Sequence, residues 1–345
     1  MTFHLWQALL AAELNPIKGR VLLRELGPNR NAGVQELLAS KHLTPAERKR
    51  VQSASLEAAN EAQKRNVRVV SFGDYPEVLR AWNDNPLALF VDGDWSSASR
   101  PTIGIVGTRG ATAYGKAVAT KFAEAFAGAG VTVVSGGAIG IDAAAHKGAI
   151  AAGGQTIAVM AGGIDRLYPA QHRGLFQQIR ESGCLVSQFA CGTKPEYFRF
   201  LIRNHLVAAL SQVLVVIEAP ERSGAMSTAF RANELGRHVF VVPANIENVN
   251  FRGSHSLIRD GATLVDHPAQ VLEDLGVELP ELVQIEAPVS PIASKILKVL
   301  STDPMPTELI VERSKCPMSD VLSELTMLEL DGRIIREPSG YILKP

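Results

Sequence analysis

The residues of this chain best suited to chemistry are those with the least side chain. Four glycine-bearing stretches each follow a β-branched run: Gly107-Thr108-Arg109-Gly110, Ser135-Gly136-Gly137-Ala138-Ile139-Gly140, Ala161-Gly162-Gly163-Ile164-Asp165 and Glu218-Ala219-Pro220-Glu221-Arg222-Ser223-Gly224. Glycine lets backbone N–H groups approach a ligand closely, and helix N-termini behind such loops favour an anion. The chemistry on offer is the holding of a phosphate. Gly110, Gly115 and Lys116 have the spacing of a P-loop, and Glu218 closes an apolar run as a metal-site carboxylate does. Ala117, however, stands where the magnesium-holding hydroxyl belongs. No G-x-G-x-x-G follows any of the runs, and Ser135 replaces the acid that would bind a nicotinamide cofactor's ribose. No cofactor is expected.

Asp142 and His146, four apart on one helix face, have the spacing of an acid-base pair or of two metal ligands. No nucleophile is tied to them by sequence. Asp142 is therefore expected to accept loop N–H groups, with His146 packed against it, as structural support alongside Glu218, Ser223 and Gly224. No metal site is expected. The segment from Lys194 to Asn204 interleaves the cations Lys194, Arg199 and Arg203 with the rings Tyr197, Phe198 and Phe200. Cations neutralise phosphates and flat rings stack on unpaired bases, so the alternation suits a single-strand groove.

These residues need a scaffold that brings the loops together. From Pro101, candidate strands at 103–106, 131–134, 156–160, 185–187, 213–217 and 239–242 alternate with helices at 114–129, 141–152, 171–181, 204–210 and 225–235. The succession predicts a doubly wound, Rossmann-like α/β sheet, all strands parallel, with the four glycine loops meeting along one edge. Ahead of it, apolar periodicity predicts helices at 5–14, 19–26, 34–39 and 44–66, the second stopping at Gly27-Pro28 and the last opening on a Thr44/Glu47 capping box. These form a small helical domain of the SAM or helix-hairpin-helix type over residues 1–70, in which Asn15 to Gly19 resembles a helix-hairpin-helix turn. The sheet domain is expected over 71–278, and a proline-bearing linker over 279–291. Three helices and a terminal hairpin over 292–345 predict a winged helix.

Composition sets the class. The chain has 345 residues, 46% hydrophobic and 20% charged, which describes a soluble globular protein with no membrane span and no signal peptide, expected in the cytoplasm. Cys184, Cys191 and Cys316 form no C-x-x-C pair and are expected to be free. Net charge is zero, but residues 1–100, 101–266 and 267–345 carry +2, +4 and −6. A polyanion is favoured on the middle segment. The C-terminal segment, with Asp320, Glu324, Glu329 and Asp331 on or beside its third helix, is expected to prefer a protein partner or a regulatory contact with the rest of the chain.

The glycine loops belong to a larger pattern. Ile105-Val106-Gly107-Thr108-Arg109, Tyr114-Gly115, the run from Ser135 to Asp142, Ala145-His146, Tyr168-Pro169, Arg203-Asn204, Glu218-Ala219, Ser223-Gly224 and Glu234-Leu235-Gly236-Arg237 together resemble the DNA-processing protein DprA (Smf) family, from about residue 75 to 262. The resemblance implies an extended Rossmann fold that binds single-stranded DNA without catalysis, protects incoming strands in natural transformation and loads RecA recombinase, usually as a homodimer. It implies that Arg109 holds a phosphate, that Gly107, Thr108, Ser135, Gly136 and Gly137 supply donors, and that Lys194, Phe200, Arg203 and Asn204 line the strand. His205 stands where the family commonly has a second arginine, Ala244 where it has glycine, and Ser256 near its asparagine. Through His205, binding is expected to tighten below about pH 6.5. The alternative is a Rossmann-like hydrolase of nucleotide phosphates, although such enzymes carry a Pro-Gly-Gly-x-Gly-Thr loop that is replaced here by the stretch from Glu218 to Gly224.

Overall fold

The computed structural model describes residues 2–26, 34–54, 56–277, 290–301, 304–330, 333–337 and 339–343. They divide into two compact units, Met1–Pro280 and Glu281–Pro345. The expected stop at Gly27-Pro28 and the expected linker up to residue 289 lie outside the described residues.

The first unit opens with helices α1 (Phe3–Ala11), α2 (Pro16–Glu25), α3 (Val34–Ala39), α4 (Pro45–Gln52) and α5 (Leu56–Lys64). Leu5, Leu9, Leu22, Leu37 and Val51 close the core of the first four, while Ala62 of α5 joins a core with Phe90 of the sheet. The predicted helix over 44–66 is two helices. Thr44 and Glu47 do form the capping box, and Lys18 beside Glu47 holds its carboxyl down at about 2. Gly19 lies inside α2, and not in a turn. A Cβ there would meet Leu87 Cδ1 at 2.2 Å, so this glycine allows close packing on the segment behind it. The buried amide of Gln7 exchanges hydrogen bonds of 2.9 and 2.8 Å with the backbone of Cys191, tying α1 to the sheet region.

The sheet has nine strands: β1 (Arg68–Ser71), β2 (Ala88–Gly93), β3 (Thr102–Val106), β4 (Thr132–Ser135), β5 (Thr156–Val159), β6 (Gly183–Ser187), β7 (Val213–Val216), β8 (His238–Val241) and β9 (Thr263–Leu264). Their order is β1-β2-β6-β5-β4-β3-β7-β8-β9. The pairs from β6 across to β9 are parallel, whereas β2 runs antiparallel to both β6 and β1. The six strands expected from sequence all run parallel, while β1, β2 and β9 are additions to them, and β2 runs against the rest. A short helix, α6 (Glu77–Arg80), lies in the connection between the antiparallel neighbours β1 and β2.

Helices α7 (Ala113–Gly128), α8 (Ile141–Ala151), α9 (Arg173–Ser182), α10 (Tyr197–Leu210), α11 (Gly224–Glu234), α12 (Arg252–Arg259) and α13 (Pro268–Asp274) cover the two faces. One core joins β3, β4 and β7 to α7, α8 and α13; another lies beneath α10 and α11. With both faces covered, β3, β5 and β7 are buried throughout. That is why they read as near-continuous apolar runs and not as alternating ones. Gly148 lets α8 lie against α7, where a Cβ would stand 2.5 Å from the Thr120 carbonyl oxygen. The second unit holds α14 (Pro291–Val299), α15 (Thr307–Ser314), α16 (Met318–Leu330) and an antiparallel pair, β10 (Ile334–Glu337) and β11 (Gly340–Leu343), around its own core of Ile296, Ile310, Val321 and Leu325. Helices and hairpin make a winged helix.

Candidate functional site

Strand order decides where a ligand fits. From β3 the chain steps one way to β4, β5 and β6, and then returns to β7 on the other side of β3. Loops leaving β3 and β7 part at this reversal and leave a crevice at the strand ends. It holds a cavity of about 760 Å³ lined by the loops after β3, β4 and β7 and by α10. Three of the four glycine stretches meet there. The fourth does not: a Cβ at Gly162 would stand 2.8 Å from the Thr193 carbonyl, and Gly163 N–H donates to that same oxygen at 2.9 Å. Two strands separate β5 from β7, so its loop packs under the segment before α10.

Helix α10 begins at Tyr197, so the segment expected to form an extended groove is already helical. Helical spacing turns Phe200, Arg203, Asn204 and Val207 to the cavity, and sends Phe198, Ile202 and His205 to a different cleft of about 490 Å³. His205 is thus no part of the cationic wall. Its ring lies 6.4 Å from Trp82, and burial pushes its pKa down. The expected tightening below about pH 6.5 has no basis at this position.

Two cations lie near the Phe200 ring. The Arg109 guanidinium stands 4.7 Å from its ring centroid and that of Arg203 5.8 Å, with Tyr168 edge-on at 5.6 Å. Arg109 is exposed, whereas Arg203 is 5% exposed. Its Nε has no hydrogen-bond partner among the described residues, and its Nη1 lies 3.9 Å from Asp142 Oδ2, beyond hydrogen-bond reach. Burial pushes the Arg203 guanidinium below its ordinary range. Burial likewise raises the Asp142 carboxyl, opposed by Arg203 and by the N–H of Ala138, which donates to Oδ2 at 3.2 Å. A buried cation with an unmet donor beside an open cavity is suited to an anion.

The glycines have specific tasks. A Cβ at Gly136 would lie 1.2 Å from Arg203 Nη1, so this residue makes room for the guanidinium. Gly137, at φ 71°, lies against Phe176. Gly107 lies against Ile141, where a Cβ would come within 2.4 Å of Cγ1. Two expected donors are already engaged. Ser135 Oγ donates to the Ile105 carbonyl at 2.7 Å, and Thr108 N–H donates to the Glu218 carbonyl at 2.7 Å. Lys194 is exposed in the loop before α10 and does not line the cavity.

The supporting residues hold the loops in place. Glu218, fully buried, accepts from Thr112 N–H at 3.1 Å, Thr112 Oγ1 at 2.9 Å and Asn250 Nδ2 at 2.8 Å, and Gly115 leaves room for its Oε2. The P-loop-like spacing of Gly115 is therefore a packing contact. Ser223 caps α11 by accepting Met226 N–H, and Asn204 Nδ2 donates to the Gly224 carbonyl at 3.2 Å. The hydrogen bond of His146 goes to the sheet: its Nδ1 pairs with Thr156 Oγ1 at 2.7 Å. Because the one proton of that hydroxyl goes to the Val133 carbonyl at 2.8 Å, the imidazole must donate. Burial pushes His146 down to about 3, so it stays neutral. Reasoning from sequence missed Arg222 and Thr228 on the far wall and Tyr168 beside Phe200. Arg222 was within reach, as a cation next to Ser223-Gly224. Among the described residues, no helix is long and apolar enough to cross a membrane.

Residues 66–276 match the model of the family described as DNA recombination-mediator protein A, and residues 280–340 match the DprA winged helix domain. Protein Smf of Escherichia coli (strain K12) is 36% identical over 280 residues, 78% of this chain and 74% of that one. DNA processing protein DprA of Bacillus subtilis (strain 168) is 37% identical over 225 residues, 65% of this chain and 74% of its own. Among solved structures, DprA from Streptococcus pneumoniae has a TM-score of 0.66 at 29% identity, covering 79% of this chain and 98% of that one. DNA processing protein A from Helicobacter pylori, described with its single-stranded DNA binding mode, has a TM-score of 0.56 at 29% identity, covering 61% and 95%.

Proposed function

The chain belongs to the DNA recombination-mediator protein A family, and from that membership we propose that it binds single-stranded DNA in the cavity between Arg109 and Arg203. It covers incoming strands during natural transformation and hands them to RecA recombinase in the cytoplasm, as a homodimer and without catalysis. The observation that carries the binding step is the buried Arg203 guanidinium, its Nε unpartnered among the described residues, facing an open cavity beside the Phe200 ring that Arg109 also approaches. The single-strand binding of the Helicobacter pylori relative supports the same polymer.

In this reading Arg109 and Arg203 take phosphates, Phe200 stacks on a base, and the backbone of Gly107, Gly136 and Gly137 lets the strand come close. Lys194 serves the strand from outside the cavity. Thr108 contributes its hydroxyl, since its N–H is engaged, and Ser135 serves the loop and not the ligand. Asn204, Ser223, Gly224 and Glu218 fix the walls. The duties divide along the chain: residues 71–278 hold DNA, the helices of 1–70 brace them, and the acidic winged helix of 292–345 meets a protein. An enzyme reading would start from Asp142 and His146, but His146 is turned to Thr156.

Anisotropy of a labelled oligothymidine at several salt concentrations tests the site. Arg109→Ala should weaken binding and lower the slope of log K against log salt by about 0.7, the value for one single-strand phosphate contact. An unchanged isotherm at every salt concentration would refute the assignment. Release of base or phosphate from a nucleotide panel would instead favour a hydrolase.

A further inference from the structure

An anion site does not ordinarily contain a carboxylate, yet Asp142 lines the same cavity as Arg203 and Arg109. Its Oδ2 accepts one N–H, from Ala138 at 3.2 Å, and stands 3.9 Å from Arg203 Nη1. The two charges face each other without a hydrogen bond, so the guanidinium's donors remain open to a ligand. A Cβ at Gly136 would lie 1.2 Å from Nη1 and 2.7 Å from Asp142 Oδ2, so both groups crowd one point of the loop. A phosphodiester that reached Arg203 would put a second negative charge beside the first, in a place sheltered from water. Like charges that close disfavour joint ionisation.

We propose that Asp142 is the resting counter-ion of Arg203, that a bound phosphodiester displaces it, and that its carboxylate then takes up one proton from solvent. The inference rests on the single-strand reading above. No covalent bond in the strand changes; one O–H bond forms on Asp142 as the phosphate takes over the guanidinium. Burial already holds this carboxyl above its usual range, so less is needed to protonate it. The other charged or titratable neighbours do not supply the proton site. Arg203 from α10 and Arg109 from the loop after β3 stay charged. His146, one turn along α8, is buried, neutral and bonded to Thr156. His172, in the turn before α9, pairs through Nδ1 with the Gly137 carbonyl at 3.1 Å and is the neighbour to control for.

The test uses the full chain and an oligothymidine carrying a pH-insensitive dye, at fixed ionic strength between pH 5.5 and 8.5. Wild type should bind more tightly as pH falls, by up to about tenfold in Kd per pH unit, the limit for one proton. Asp142→Asn, which imitates the protonated carboxyl, should bind more tightly than wild type at pH 8.5 and lose the slope. His172→Gln should keep it. Calorimetry in two buffers of different ionisation enthalpy should show proton uptake on binding by wild type and less by Asp142→Asn. A flat wild-type profile, a sloping Asp142→Asn profile, or weaker binding by a folded Asp142→Asn at pH 8.5 would each overturn the proposal. If Arg109→Ala leaves affinity and salt slope untouched, the cavity itself is the wrong site; if it lowers both while Asp142→Asn keeps the slope, only the proton exchange fails.

Discussion

Gly136→Ala isolates the geometry that matters most. Gly136 is not among the positive-φ glycines, unlike Gly137 and Gly140, so alanine suits its backbone and the effect is purely steric. The new Cβ would lie 1.2 Å from Arg203 Nη1 and 2.3 Å from Cζ, and the guanidinium must withdraw by about 2 Å to reach ordinary contact. That retreat takes its donors away from the phosphate position. A charge-assisted hydrogen bond is worth about 1.5 to 3 kcal/mol, so oligothymidine affinity should fall by roughly 10- to 150-fold. The salt slope should fall with it, because a phosphate contact is lost. Asp142 Oδ2, 2.7 Å from the new Cβ, must shift as well, so unfolding is measured alongside to separate any loss of stability from the lost contact. Anisotropy titrations at three salt concentrations, paired with urea unfolding, give both quantities. A folded Gly136→Ala protein with wild-type affinity and wild-type slope would show that Arg203 does not touch the strand.

Phe200→Ala should cost about 1 to 3 kcal/mol of oligothymidine affinity while leaving the salt slope in place, the reverse of the signature expected for Arg109→Ala. Glu218→Gln should destabilise the fold by about 1 to 3 kcal/mol in urea unfolding, because an amide NH2 would face the donors on Thr112 and Asn250. His146 gives a pH signature. Its folded value of about 3 lies below the ordinary 6.5, so the unfolded chain binds more protons between those values. Stability should fall as pH drops from about 6.5 toward about 3, by up to about 1.4 kcal/mol per pH unit, and His146→Gln should remove that slope in urea midpoints taken at pH 4 and pH 7.

Much of the fold can be read along the chain because its causes are local. Residues 103–106 and 213–217 announce buried parallel strands by runs without a polar residue, Thr44 and Glu47 announce a helix start by complementary hydrogen bonding, and glycines after strands announce tight exits. Strand β2 (Ala88–Gly93) escaped because it lies ahead of the regular strand-helix alternation that begins at Pro101, and its place beside β6 is fixed only by tertiary pairing. The later part of α10 is legible as a helix over 204–210, but its start at Tyr197 escaped because the mixed cations and rings of 197–203 form no clean apolar stripe; only at helical spacing do Phe200, Arg203, Asn204 and Val207 share a face. Residue types alone point to a phosphate-holding edge and to Arg109, Phe200 and Arg203 as its members, since charge, flatness and a missing side chain are properties of single residues, and the three do line one cavity. Which loops converge, which N–H groups are already engaged, and that Gly136 makes room for Arg203 while His205 faces another cleft were settled only by packing. Those outcomes depend on distances between segments far apart in the chain, which sequence spacing does not encode.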